Sequence, residues 1–158
     1  MLRCPSGYLI GVCAWLSIFV PKTNGADNPG TWNLPRLAAE GAKVNEAAAK
    51  VNVKPGTNVV VLDEEDSYVF DEEGKAVHTH YLVYKVFTQK GVEGWDSISL
   101  GWEPWHEERP TVRARVVTPD NAVHPLDPKT ITDSPARDED EKTYGDGRVL
   151  RAPLPAIA

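Results

Sequence analysis

The sequence predicts a mainly β fold: an antiparallel β-sandwich preceded by one amphipathic helix and incomplete at its C-terminus. Three observations carry this. Beyond Asn58, short apolar runs alternate with period two. Turn-forming residues separate them at hairpin-like intervals. Only one earlier stretch, rich in alanine and glutamate, follows a helical period.

The chain has 158 residues, enough for one domain. Residues 1–26 are set apart from it. Met1 to Tyr8 carry one charge, Arg3; Leu9 to Val20 carry none; Pro21 and a small, polar exit through Ala26 follow. That is the layout of a secretory signal peptide. The apolar run is shorter than the ~20 residues that cross a bilayer as a helix. Residues 1–26 are therefore expected to be a leader, with an uncleaved anchor or a buried core helix as the alternatives, the mature protein periplasmic or extracellular, and the membrane met only through that leader. Cys4 and Cys13, the only cysteines, leave with it, so the mature chain is expected to lack disulfides, thiolate nucleophiles and cysteine ligands. Losing Arg3 and Lys22 takes the formal charge from −6 to −8. An acidic domain repels phosphate backbones, and no nucleic-acid partner is expected.

Residues 27–57 form an N-terminal extension. Within it Leu34 to Val51 carry Leu34, Leu37, Val44 and Val51 near helical spacing, with Pro35 suited to a first turn and Gly41 weakening the helix. Lys54-Pro55-Gly56 ends it. Residues 58–158 form the sandwich domain. Val59 to Leu62 is a β-type run that Asp63 to Asp66 is expected to interrupt, and Ser67 to Asp71 resumes the alternation. Glu72 to Lys75 is a turn with Gly74 at positive φ. Ala76 to Thr88 is dense in β-branched and aromatic residues on both faces and is expected to be a central, doubly covered strand. Gln89 to Gly94 reads as a turn, Trp95 to Leu100 as a strand, and Gly101 to Arg109 as irregular. In Thr111 to Thr118, Val112, Ala114 and Val116 point one way and Arg113 and Arg115 the other. Pro119-Asp120-Asn121 is a turn before a strand at Ala122 to Leu126. Asp133 to Gly147 is a polar loop, and Arg148 to Leu154 a last strand. Leu154 and Ile157 find no place in the pattern, and the chain is expected to be a fragment or a truncated frame.

Chemistry-bearing groups are sparse. Trp95, Trp102 and Trp105, interleaved with Glu103, His106 and Glu107, are the candidate binding residues, as a platform for sugar rings or a partner protein; core and loop packing is the alternative. His78 and His80, two apart on a strand, share one face, and His106 or His124 is a conceivable third metal ligand. The spacing matches no recognised ligand pattern, so no metal and no cofactor is assigned. The acidic runs Asp63–Asp66 and Asp138–Glu141 lack the order of a calcium loop. There is no G-x-S-x-G elbow and no phosphate-cradling glycine loop, and no catalytic residue is assigned.

Four segments, VVLDEEDSYVFDEEGK, HYLVYKVFTQKGVEGW, RARVVTPDNAVHPLDPKTITD and RVLRAPLP, stand in order between Val60 and Pro155. In this combination the stretch from Val59 to Pro155 resembles a bacterial domain of unknown function found N-terminal to transglutaminase-like domains of papain-like fold in exported proteins. The resemblance implies a β-sandwich, not an enzyme, that positions or shields a transglutaminase-like domain in cis or in trans. The catalytic cysteine, histidine and aspartate belong to that following domain, and no position here corresponds to them. Family members continue past the A-P-L-P segment with a glycine turn and further strands. The rival expectation is a free-standing module that binds glycan or protein through the tryptophan-rich surface.

Overall fold

The computed structural model describes residues 34–136 and 145–157, together with the backbone of residues 8–15. The predicted leader beyond residues 8–15 and the acidic run from Asp138 to Glu141 lie outside the described residues.

The architecture is mainly β with antiparallel sheets, as the alternation predicts. In chain order the elements are β1 (Tyr8–Trp15), α1 (Gly41–Ala49), β2 (Val59–Phe70), β3 (Ala76–Val86), α2 (Gln89–Trp95), β4 (Ser97–Trp102), β5 (Thr111–Val117), β6 (Val123–Pro125), β7 (Thr132–Pro135) and β8 (Arg148–Pro153). One sheet has the order β2-β3-β1-β5-β6 and the other β4-β8-β7. Their facing sides enclose the main core, with Tyr84, Val86, Val112, Ala114 and Val116 from the first sheet against Leu150 and Ala152 from the second. Leu154 and Ile157, without a place in the sequence pattern, pack into this core. The outer side of the larger sheet is covered by α1 and the segment before it, which bury Ala39, Val44 and Ala48 against Val117. The sequence-predicted split of β5 holds: Val112, Ala114 and Val116 face the sandwich core, and Arg115 donates outward from Nη1 to the Ala39 carbonyl at 2.6 Å.

Residues 8–15, within the predicted leader, form the middle strand of the larger sheet. They pair with β3 from Tyr8↔Val86 to Ala14↔His80 and with β5 from Leu9↔Val117 to Trp15↔Thr111.

Several elements differ from expectation for identifiable reasons. The helix begins at Gly41 rather than Leu34, because Leu37 sits at φ 49° and breaks the right-handed path. Gly41, expected only to weaken the helix, permits a close approach: a Cβ there would lie 2.2 Å from the Asn121 carbonyl oxygen. Asn45 secures the same contact, its Nδ2 donating to the Thr118 carbonyl and to Asn121 Oδ1, both at 2.9 Å. Gln89 to Trp95 is a helix, α2, instead of a turn and a strand start; Thr88 caps it by accepting from the Gly91 amide. Thr132 to Pro135, at the start of the expected polar loop, pairs with β8. The acidic run does not interrupt β2, which is continuous from Val59 to Phe70 with a bulge between Val61 and Asp63. The Glu72–Lys75 turn forms as predicted, with Gly74 at φ 83° and Asp71 Oδ1 accepting from the Glu73 and Lys75 amides.

Candidate functional site

Period-two alternation sorts the acidic run of β2 onto opposite sides of the sheet. Asp63 and Glu65 point to the outer side. There Arg36 pairs with Glu65, and its guanidinium lies 4.8 Å from the Tyr81 ring centroid. Partial burial, with the Glu65 charge second, raises the Asp63 carboxyl above its ordinary value. Glu64 and Asp66 point to the other side and share it with β3. The register sets Asp66 opposite His80, Tyr68 opposite His78, and Glu64 opposite Leu82. Leu82 is the last of these to pack against the sandwich core.

The result is a compact polar cluster. Asp66 Oδ1 lies 2.7 Å from His78 Nε2 and 3.0 Å from His80 Nδ1. Hydrogen bonds from the two imidazoles hold the Asp66 carboxyl below the usual carboxylate range. The His78 ring stacks flat on Tyr68, with centroids 4.2 Å apart and planes 2° from parallel. Glu64, Asp66 and His80 bring one potential ligand atom each to within 4.8 Å of one another. The alternation places His78 and His80 on one face, and the structure brings Asp66 to them rather than His106 or His124. His106 lies against Trp105, and His124 Nε2 meets the Thr118 hydroxyl at 3.3 Å. The missing signal was the register: with the Glu72–Lys75 turn fixed, counting back along both strands puts Asp66 opposite His80.

Just beyond the cluster, the hairpin end presents Tyr68, Val69 and Phe70 to solvent, at 59%, 40% and 67% exposure.

The three predicted tryptophans do not form one platform. Trp95 packs on the core and tilts against Tyr84 at 4.5 Å between ring centroids, and the Tyr84 hydroxyl donates to the Trp95 carbonyl at 2.9 Å. Burial, with the Asp96 charge second, pushes the Tyr84 phenol well above its ordinary range. Trp102 also packs on the core; its buried Nε1 lies near Asp133 without closing a hydrogen bond to it. Asp133 is gripped by Arg109 Nε and Arg148 Nε, each at 2.8 Å, and the Arg109 bond leads in holding its carboxyl low. Trp105 alone of the three is exposed, at 73%.

Residues 72–158 match a family model, that of a domain of unknown function with a solved structure, DUF3857. No curated protein and no solved structure matches the chain.

Proposed function

The chain belongs to the DUF3857 family, and from that premise we propose that it is a non-catalytic interaction domain of an exported protein that positions or shields a transglutaminase-like domain in cis or in trans. The observation that carries this reading is the aromatic end of the β2–β3 hairpin. Tyr68 and Phe70 share one face of a ribbon that extends past the other described strands of its sheet, with Val69 on the opposite face, and the two rings have exposures normal for charged residues rather than aromatic ones. Burial against a partner is the ordinary fate of such a group. Export rests on the leader-like layout of residues 1–26, although residues 8–15 of that segment also form β1, and the partner class rests on the resemblance of Val59–Pro155 described above.

The reading expects a domain bearing cysteine, histidine and aspartate to be encoded with this one, in the same protein or beside it. Replacing both Tyr68 and Phe70 with serine should weaken binding of that domain by at least ~10-fold, the scale of one interface anchor. It should leave the unfolding midpoint of the interaction domain nearly unchanged. Unchanged affinity would remove the hairpin from the reading. A second reading, a module that binds glycan or protein, now rests on Trp105; Trp105→Ala should abolish retention on cell-wall glycan if it holds.

A further inference from the structure

We propose that Glu64, Asp66 and His80, on the face shared by β2 and β3, form a binding site for a divalent transition-metal ion, with zinc the best chemical match. The proposal is independent of any docking partner.

The donors are delivered by regular backbone. Glu64 and Asp66 are two apart on β2, and His80 is the direct cross-strand partner of Asp66. Alternation puts all three on one face. Their ligand atoms already lie within 4.8 Å of one another. A point equidistant from three atoms that far apart is ~2.8 Å from each, against about 2.0–2.2 Å for zinc bonds to nitrogen and oxygen, so side-chain movements of under ~1 Å close the site.

The donor set selects the ion. An imidazole with two carboxylates suits zinc and its neighbours. Calcium takes six to eight oxygens, and magnesium holds its water in octahedral order; two carboxylates on a flat strand face supply neither. Two negative charges offset the ion's own. The site faces solvent, with Glu64 and Asp66 exposed, so three protein ligands leave positions open for water or a further donor.

His78 is the positioning residue. Its Nε2 meets Asp66 Oδ1 at 2.7 Å, and its ring is clamped flat against Tyr68. With Oδ1 engaged by His78, Oδ2 of Asp66 would be the oxygen left for the ion, and His80 would exchange its hydrogen bond to Asp66 for the metal. Metal-binding carboxylates are commonly fixed by such outer hydrogen bonds, whose loss lowers affinity about 10–100-fold.

The test is a titration of the full chain with zinc chloride at pH 7.5, followed by calorimetry and by the ring signals of its four histidines. Binding should saturate at one zinc per chain, and the first equivalent should move the His80 ring and leave His106 and His124 in place. His80→Ala and Asp66→Asn should each weaken binding at least ~10-fold; His78→Gln should weaken it with the His80 shift retained. Calcium chloride should give no saturable heat. All these residues are at least partly exposed, so the variants should keep the wild-type unfolding midpoint within a few degrees. Absence of saturable zinc binding, binding unaffected by both His80→Ala and Asp66→Asn, or an equal response of all four histidine rings would each overturn the proposal.

Discussion

The inner and outer halves of the β2–β3 hairpin follow one alternation to opposite ends. In the inner half, Val59, Tyr84 and Val86 lie on the face that meets the second sheet, and Tyr81 and Val83 are buried on the other. The strand β1 lies along β3 there, from Val86 to His80. In the outer half, among the described residues, the β1 pairing reaches no further than His80, and residues 76–79 of β3 pair only with residues 67–70 of β2. The face that held Tyr84 and Val86 now holds Asp66, Tyr68, His78 and His80, open to solvent. A strand's side-chain pattern thus says which residues share a face, and the neighbouring layer decides whether that face becomes core or site. His80 stands at the boundary: it is the last residue of β3 paired with β1, and the direct partner of Asp66.

The sharpest way to break this comparison is to remove what makes the inner half inner. Deleting residues 1–26 takes β1 away and leaves β3 and β5 facing an unfilled gap in the middle of the sheet, each with a row of unpaired amides and carbonyls. Leader removal and sheet pairing therefore compete for the same residues. Urea unfolding of residues 27–158 against the full chain should show a loss of several kcal/mol or of cooperativity altogether, the scale of losing one central strand from a domain worth about 5–15 kcal/mol. Equal midpoints and equal slopes would mean that the hairpin's inner half does not depend on β1.

Next in size is a single core position. Val86 is fully buried between the sheets. Val86→Ala removes two methyl groups' worth of burial and leaves a small cavity, a loss of about 2 kcal/mol. The urea midpoint should fall with its slope unchanged. A shift below ~0.5 kcal/mol would mean that the sandwich core does not close over this end of the hairpin.

How much of this contrast was legible beforehand follows from the physics of each signal. Alternation in Thr111–Thr118 put Val112, Ala114 and Val116 in the core and Arg113 and Arg115 outside, because one strand carries that information by itself. Ala76–Thr88 was expected to be covered on both faces, which holds from Tyr81 to Val86; coverage depends on how far the neighbouring layers reach, which the strand does not encode. The acidic run was expected to break β2 because its charges were counted as a block. Distributed over two faces of an edge strand they are tolerated, and charges on such an edge discourage pairing with other chains. The helix α2 was obscured by Gly91 and Gly94, although Thr88 was a readable cap. Gly91 is kept for packing: a Cβ there would lie 2.6 Å from the Asn58 carbonyl oxygen. As for the site, the residue types were visible, but the meeting of Asp66 with both histidines depended on register, and the scatter of Trp95, Trp102 and Trp105 between core and surface depended on tertiary packing.

The smallest expected effect lies in the outer half and is best read through pH. The hydrogen bonds from His78 and His80 lower the folded-state pKa of Asp66 relative to its unfolded value. A depressed carboxylate contributes stability that is fully present above the unfolded pKa, near 4, and fades as pH falls through the lowered folded value. Asp66→Asn should therefore lower the thermal midpoint at pH 7, but by no more than about 2 °C, because the group is exposed and solvent screens its interactions. The gap between variant and wild type should narrow as the pH drops below 4 and close once Asp66 is protonated in both states. A gap that persists undiminished at low pH would place the effect in the shape of the side chain rather than its charge. A gap rivalling that of Val86→Ala would mean that the outer half is held as tightly as the inner one, and that the ribbon from Ser67 to Thr79 is structural core in all but exposure.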